Sequence, residues 1–154
     1  MNPDLTHLIE QRLRTMQIIV GAIMMSMAVY VVMAFVLIRQ QAIEPMAIPP
    51  LLPPILAAVA VSTLMGAGFI VKGMTQRAGT MGTPAERIQR YQGAMIVGAA
   101  LRESVGVIGL VLSLLTGSLI WVGLLSGLAA FAILTNFPSR SALEKLVLDA
   151  PPIV

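Results

Sequence analysis

Four long runs of apolar residues limit what this chain can fold into. They cover residues 16–38, 55–71, 93–115 and 118–137. An α-helix needs about 20 mainly apolar residues to cross the hydrocarbon core of a bilayer. The alternation of apolar and polar residues that is typical of a transmembrane β-strand is absent. The pattern therefore predicts an all-α, polytopic membrane protein built as a bundle of four transmembrane helices.

The composition indicates that part of the protein surface contacts lipid, and the residues present argue against an enzyme. Of 154 residues, 57% are hydrophobic and only 11% are charged, whereas a soluble domain carries about 25% charged residues. There is no cysteine, and His7 is the single histidine, so thiolate and multi-histidine metal sites are excluded. No nucleophile–base set or phosphate-binding loop is present. We expect no catalytic activity, no metal, no cofactor and no nucleic-acid partner.

The predicted organisation is one membrane domain over residues 1–154. Residues 1–15 form an amphipathic lead in which Asn2 can cap a helix that starts at Pro3, and Glu10 and Arg14 are spaced as a helical ion pair. This lead is either a separate helix on the membrane surface or the water-exposed start of the first transmembrane helix. We prefer the second interpretation, because nothing breaks the helix before Met16. Residues 139–154 are predicted to form a cytoplasmic tail.

The links between the spans carry distinct signals. Residues 44–54 contain five prolines and are predicted not to form regular helix; they are either a plain connector or a docking loop. The second span is the shortest of the four, and its helix alternatively begins among these prolines. Residues 73–82 are predicted to be a polar loop. Thr83 and Glu86 are spaced as a capping box, and Ser141 and Glu144 form a second candidate. The link at 116–118 is so short that the third and fourth helices must be antiparallel neighbours.

The distribution of basic residues predicts an orientation. Arg39 is the single basic residue in the links on one side of the membrane. The other side carries eight, namely Arg12, Arg14, Lys72, Arg77, Arg87, Arg90, Arg140 and Lys145. Lysine and arginine concentrate in cytoplasmic loops. We therefore expect a multi-pass protein, of the bacterial inner membrane, with both termini in the cytoplasm.

Arg102 and Glu103 are the charged residues that lie deep inside a predicted span. A charge at the centre of a membrane helix costs about 2.5–3.5 kcal/mol, so such residues are paired, neutralised or functional. Adjacent residues of a helix point about 100° apart, so the two do not face each other. Arg102 is expected either to extend toward the cytoplasmic headgroups or to meet Glu103 of a neighbouring copy. Glu103 is alternatively protonated, because burial disfavours its ionised form.

Small and hydroxylated residues recur at helix-packing spacing. The candidate packing residues are Gly98, Gly106, Gly109, Ser113, Gly117, Ser62, Gly66, Gly123 and Gly127, since small residues let membrane helices approach closely. The hydroxyl groups within the spans are expected to bond carbonyls of their own helices. Those residues are Ser26, Ser62, Thr63, Ser104, Ser113 and Ser126.

The sequence around Glu103 resembles the carboxylate helix of the rotary ATPase proteolipid, the c subunit. Residues 99–115 read AALRESVGVIGLVLSLL, with an acid followed by a Gly-Leu-Val run, and the preceding helix carries Gly66, Gly68 and Gly73. The resemblance covers the second and third helices. It implies that Glu103 binds H⁺ or Na⁺, although Arg102 stands where that family has a small neutral residue.

Three functions are compatible with these patterns. The first is an accessory or scaffolding subunit of a larger membrane complex, with Arg102 and Glu103 in a buried interhelical or intersubunit contact. The second is a proteolipid-like subunit that translocates H⁺ or Na⁺ through Glu103. The third is a small transporter in which Glu103 couples substrate to protons. The first two imply partners within the bilayer, either other membrane subunits or copies of the chain.

Overall fold

The computed structural model describes residues 3–40, 48–79 and 83–148. Within these ranges the chain is helical and contains no strand, which confirms the all-α prediction. The elements are α1 (Pro3–Arg39), α2 (Leu52–Gly79), α3 (Pro84–Thr116), α4 (Ile120–Leu134) and α5 (Arg140–Leu148). The first three helices are long and apolar enough to cross a membrane, while α4 is apolar but has only 15 residues. Three long apolar helices suggest a membrane protein.

Helix α3 is the centre of the bundle, because it packs against α1, α2, α4 and α5. The main core lies along its length and takes residues from four helices. Its fully buried members are Val20, Met27, Ala60, Ala99, Val105, Leu112, Leu125, Ala129 and Ile133. Alanines and valines dominate this core, so the helices approach closely.

A second, smaller core closes one end of the bundle. Ile9 and Met16 of α1, Ile88 and Tyr91 of α3, and Leu143 of α5 are buried together there. This end also receives the C-terminal part of α2, whose Arg77 shares a surface cleft with Arg90 of α3. We call it the basic end; it carries Arg12, Arg14, Lys72, Arg77, Arg87, Arg90, Arg140 and Lys145.

Polar contacts hold α5 against α1. Arg140 donates hydrogen bonds to Glu144 at 2.6 Å and to Glu10 at 3.4 Å. The bond to Glu144 raises the pKa of Arg140 further above its usual value. Because Glu10 turns to Arg140, the predicted pair of Glu10 with Arg14 does not form. Arg140 and Glu10 are exposed and Glu144 is only half-buried, so the ion pairs add little stability.

Helix α1 runs without interruption from Pro3 to Arg39. The segment that precedes the first apolar run is therefore continuous with it in one helix, while Asn2 lies outside the described residues. Gln17 donates a hydrogen bond to the carbonyl of Pro138 at 3.4 Å. That contact places the start of the apolar part of α1 level with the turn between α4 and α5.

Two predictions for α2 are wrong. Residues 73–79 are helical instead of a polar loop, because Val71 and Ala78 are buried as α2 packs along α3. Packing outweighs the helix cost of Gly73, which is about 1 kcal/mol. The prediction that residues 52–54 are not helical is also wrong, because α2 begins at Leu52; this start agrees with the alternative that the second span begins among the prolines. Pro53 and Pro54 therefore occupy its first turn, where a missing N–H costs nothing. Residues 44–47 of the proline-rich segment lie outside the described residues.

The capping box that starts α3 is confirmed. The Glu86 carboxylate accepts from the Thr83 backbone N–H at 3.0 Å, and Thr83 Oγ1 accepts from the Glu86 N–H at 3.4 Å. The second candidate box is wrong. Ser139, not Ser141, accepts from a backbone N–H of α5, that of Ala142, because the helix starts one residue before Ser141.

The short link between α3 and α4 also behaves as predicted, since the two helices pack side by side. Gly117 adopts the left-handed conformation (φ 66°) and ends α3, a role that glycine fills without strain. The predicted fourth run, 118–137, is longer than the helix it forms. The turn occupies residues 117–119, and α4 ends at Leu134, where Asn136 bonds the carbonyl of Ala132.

Candidate functional site

Glu103 joins α3 to α1. Its Oε1 atom accepts hydrogen bonds from the Ser26 hydroxyl at 2.6 Å and from the Tyr30 hydroxyl at 2.8 Å. Ser26 and Tyr30 are four residues apart on α1, so both hydroxyls project from one face of that helix. All three side chains are half-buried. The acid at the middle of the third helix therefore has two hydroxyl donors from a neighbouring helix.

The depth of Glu103 follows from contacts at the basic end. Arg12 donates to the Gln92 side chain at 3.3 Å, which marks a polar level on α3. At 1.5 Å per residue, Glu103 lies about 16 Å along the helix from Gln92 and about 20 Å from Thr116. The carboxyl group is thus near the middle of the apolar part of α3, far from both polar ends.

The hydrogen positions around Glu103 admit two arrangements. Ser26 Oγ lies 2.6 Å from Glu103 Oε1 and 2.7 Å from the carbonyl of Ile23, but a hydroxyl has one hydrogen to donate. With an ionised Glu103, Ser26 and Tyr30 both donate to the carboxylate. With a neutral Glu103, the carboxyl proton is donated to Ser26 Oγ, and Ser26 donates to Ile23. The site holds a carboxyl group in either state of protonation.

Arg102 lies apart from this contact. Its side chain is only 4% exposed, its Nε has no hydrogen-bond partner, and it forms no ion pair with a described acidic residue. Its Nη1 atom lies 3.2 Å from where a Cβ on Gly98 would stand. Since Gly98 is one turn nearer the N-terminus of α3, the guanidinium extends toward the basic end. Arg102 and Glu103 therefore serve different neighbours and do not neutralise each other by contact.

Three of the predicted small residues lie where helices meet. A Cβ on Gly98 would stand 2.2 Å from Cγ2 of Val71, so α2 approaches α3 closely there. A Cβ on Gly106 would lie 3.3 Å from Ser126 Oγ, and one on Gly109 would lie 3.0 Å from Leu125 Cβ and 3.1 Å from the Trp121 carbonyl oxygen. Because these three positions have no side chain, α2 or α4 packs directly against the backbone of α3 there.

Ser113 and Gly117 act at the junction of α3 and α4. Ser113 Oγ accepts a hydrogen bond from the backbone N–H of Val122 at 2.8 Å, and both residues are buried. Val122 is in the first turn of α4, where backbone N–H groups lack partners within the helix. The Ser113 side chain of α3 therefore caps the N-terminus of α4.

The other predicted small residues face away from the rest of the chain. A Cβ on Gly66, Gly123 or Gly127 would meet no atom within 4 Å, and Ser62 bonds the carbonyl of Ala58 in its own helix. These positions leave open surface on α2 and α4.

The hydroxyl groups divide into two sets. Ser62, Thr63 and Ser104 bond carbonyls of their own helices, as predicted. Ser26 lies within bonding distance of the Ile23 carbonyl of its own helix and also contacts Glu103 of α3. Ser113 instead contacts α4, which corrects the expectation for that residue. Ser126 Oγ is buried and has no hydrogen-bond partner. Tyr30 was missed as a site residue; its spacing of four from Ser26, in an otherwise apolar run, is the sequence signal that marks it.

The described ranges hold no cluster of three or more histidine, cysteine, aspartate or glutamate side chains that could bind a metal ion together. Comparisons with known proteins add no assignment. No protein-family model matches the chain, and neither a curated protein nor a solved structure matches it significantly.

Proposed function

We propose that this chain is a non-enzymatic accessory or scaffolding subunit of a larger membrane complex. Four apolar helices cross the bacterial inner membrane, with both termini and the α2–α3 link in the cytoplasm. Glu103 provides an interhelical polar contact that fixes the positions of α1 and α3, and Arg102 serves an intersubunit contact. The partners are other membrane subunits or copies of this chain.

The contact of Glu103 with Ser26 and Tyr30 carries this proposal. It uses a costly intramembrane acid to hold α3 against α1, which is a structural use of the charge. Three surface clefts of about 300–490 Å³ lie on other faces, and neither Glu103 nor Arg102 lines any of them. The arrangement favours a fixed interhelical contact over a substrate site.

The outer faces of α2 and α4 support association with other chains. Ser62 with Gly66, and Gly123 with Gly127, are pairs of small residues spaced four apart that meet no other helix of this chain. Such pairs let a helix of a neighbouring subunit approach closely in lipid. Large exposed apolar side chains, including Phe69 and Phe131, surround them.

The concentration of eight basic side chains at one end of the bundle supports the orientation. Arg39, which lies over the ring of Phe35 at 5.1 Å from its centroid, is at the opposite end. The inner surface of the membrane attracts lysine and arginine, which favours the basic end as the cytoplasmic one.

Purification of the tagged chain in mild detergent, followed by identification of the membrane proteins that stay bound, tests the proposal. We expect stoichiometric partners or further copies with the wild type, and looser association with Glu103→Gln, because the α1–α3 contact is weakened. The control is Ser104→Ala, which removes the neighbouring hydroxyl on α3 that bonds only the Leu101 carbonyl of its own helix. A wild-type chain that elutes as a monomer without partners would contradict the proposal.

A second candidate is an ion-translocating subunit with Glu103 as the ion-binding carboxylate. The observation that favours it is the pair of hydroxyls at Oε1, which accommodates the carboxyl group both ionised and protonated. A carbodiimide that reacts with protonated carboxyls is then expected to label Glu103 in a pH-dependent way, and Glu103→Gln is expected to stop a proton or sodium flux in proteoliposomes. Absence of labelling at every pH, together with an unchanged flux, excludes this candidate and leaves the scaffold proposal intact.

A further inference from the structure

An open cleft lies between α2 and α3 at the basic end. Met74 and Arg77 of α2 and Arg90 and Gly93 of α3 line its volume of about 330 Å³. Both arginines are exposed, and a Cβ on Gly93 would meet no atom within 4 Å. Two guanidinium groups from different helices therefore flank one concave surface whose floor has no side chain at Gly93.

Among the described residues of α2 and α3, the charges around the cleft are mostly positive. Helix α2 contains no acidic residue, and near the cleft α3 contributes only Glu86. The Glu86 carboxylate is engaged by the backbone N–H of Thr83, and Arg90 forms no ion pair with any described residue. Lys72, which lines a cleft on another face of α2, adds further positive charge near this end of the two helices. The cleft is thus suited to an anion.

The position of the cleft matches the membrane boundary on both helices. The apolar run of α2 ends just before Lys72, and that of α3 begins at Gly93. The contact of Val71 with Gly98 sets the register of the two antiparallel helices. In this register Ile70 and Val97, both with large exposed side chains, lie below the cleft on the apolar side. An apolar groove therefore continues from the arginines into the membrane.

We propose that this cleft binds an anionic phospholipid. The phosphate of the headgroup lies between Arg77 and Arg90, and an acyl chain descends over Gly93 between Ile70 and Val97. Arginine binds phosphate oxygens through paired N–H donors, and basic pockets between membrane helices on the cytoplasmic side are suited to anionic headgroups. This inference goes beyond the scaffold proposal and does not depend on any partner protein.

Native mass spectrometry of the purified full chain, with equal amounts of phosphatidylglycerol and phosphatidylcholine added, tests the assignment. We expect the wild type to retain phosphatidylglycerol preferentially. Arg77→Gln and Arg90→Gln should each lower this preference about fivefold, and the double variant about 25-fold. Lys145→Gln is the matched control, because it removes one positive charge from the same end but outside the cleft, and it should leave the preference unchanged.

A second pair of variants tests the apolar part of the site. Gly93→Leu fills the floor of the cleft and keeps both arginines, so it should lower retention of phosphatidylglycerol. Gly68→Leu places the same side chain on a different, equally open face of α2 and should not. Equal losses for Lys145→Gln and the cleft arginines, unchanged retention with Gly93→Leu, or displacement of the lipid by excess inorganic phosphate would each overturn the proposal.

Discussion

The phenolic oxygen of Tyr30 lies 2.8 Å from Oε1 of Glu103, and this bond joins the first helix to the third near the middle of their apolar lengths. In the membrane arrangement that we propose, water is scarce at that depth, so the carboxyl group depends on protein donors. Ser26 supplies the second donor from the same face of α1. The two hydroxyls thus bond α1 to α3 through a single acid, in addition to the apolar packing between the two helices.

Tyr30→Phe should weaken this contact while keeping the ring. Hydrogen bonds between membrane helices are worth about 0.6 kcal/mol on average and up to about 1.7 kcal/mol, so we expect a loss of stability within that range. Reversible unfolding in mixed detergent micelles measures it. Tyr91→Phe is the control, since no described residue bonds the Tyr91 hydroxyl. Equal effects of the two substitutions would contradict the contact.

Gly98→Ala should destabilise the packing of α2 on α3, because its Cβ would meet Cγ2 of Val71 at 2.2 Å. Overpacking of this kind costs about 1–3 kcal/mol, although alanine is otherwise the better helix former. Val71→Ala removes the obstructing methyl group and should restore part of the loss in the double variant. Gly66→Ala, where the added methyl meets nothing, should be neutral or stabilising by up to about 1 kcal/mol. A double variant no more stable than Gly98→Ala alone would show that Val71 is not the obstacle.

Ser113→Ala should loosen the start of α4 by removing the acceptor for the Val122 N–H. Loss of a helix cap costs about 0.5–2 kcal/mol. The same unfolding measurement applies, and hydrogen exchange should rise at the first turn of α4 and not along α2. Ser62→Ala provides the comparison, since that hydroxyl bonds a carbonyl that its own helix already satisfies. Unchanged exchange at Val122 would be inconsistent with the cap.

Arg102→Leu should stabilise the isolated chain. It removes a buried cation that has no acidic partner among the described residues, and a central arginine costs up to about 2.5–3.5 kcal/mol in a membrane helix. Arg102→Lys retains the charge and should give no such gain. A loss of stability with Arg102→Leu would mean that the guanidinium is satisfied in the folded chain.

Single cysteines can test the orientation, because the chain has none of its own. Gln40→Cys and Ser141→Cys place an exposed thiol at opposite ends of the bundle. In intact cells a membrane-impermeant maleimide should label the cysteine at 40 and not the one at 141. In inside-out vesicles the pattern should reverse. Labelling of 141 alone in intact cells would place the basic end outside.

The long helices were predictable because their apolar runs are longer than the apolar stretch that a helix of a soluble protein buries. Their ends were harder to place. The extension of α2 to Gly79 depends on burial of Ala78 against α3, which outweighs the local preference of glycine for a turn. By contrast, the start of α3 depends on Thr83 and Glu86, which are close in sequence, and it was predicted correctly.

The candidate site was only partly visible in the sequence. Glu103 and Arg102 are distinct as charges within an apolar run, but the sequence does not specify which helices face them. The close approach of α2 at Gly98 and the position of α1 beside α3 decide that Glu103 meets Tyr30 and that Arg102 does not. Contacts between residues about 75 positions apart depend on packing, which local patterns do not encode.

In the membrane arrangement that we propose, the short length of α4 affects the surrounding lipid. Its 15 residues extend about 22 Å, whereas the hydrocarbon core of a bilayer is about 30 Å thick. The lipid leaflets beside α4 must therefore thin, at a cost of a fraction of a kcal/mol per Å of mismatch. The long helices α1 and α2 require no such deformation on their side. The hydrophobic thickness of the protein is thus smaller on the α4 side than on the side of α1 and α2. Neighbouring proteins that also prefer a thin bilayer would gather along the α4 side.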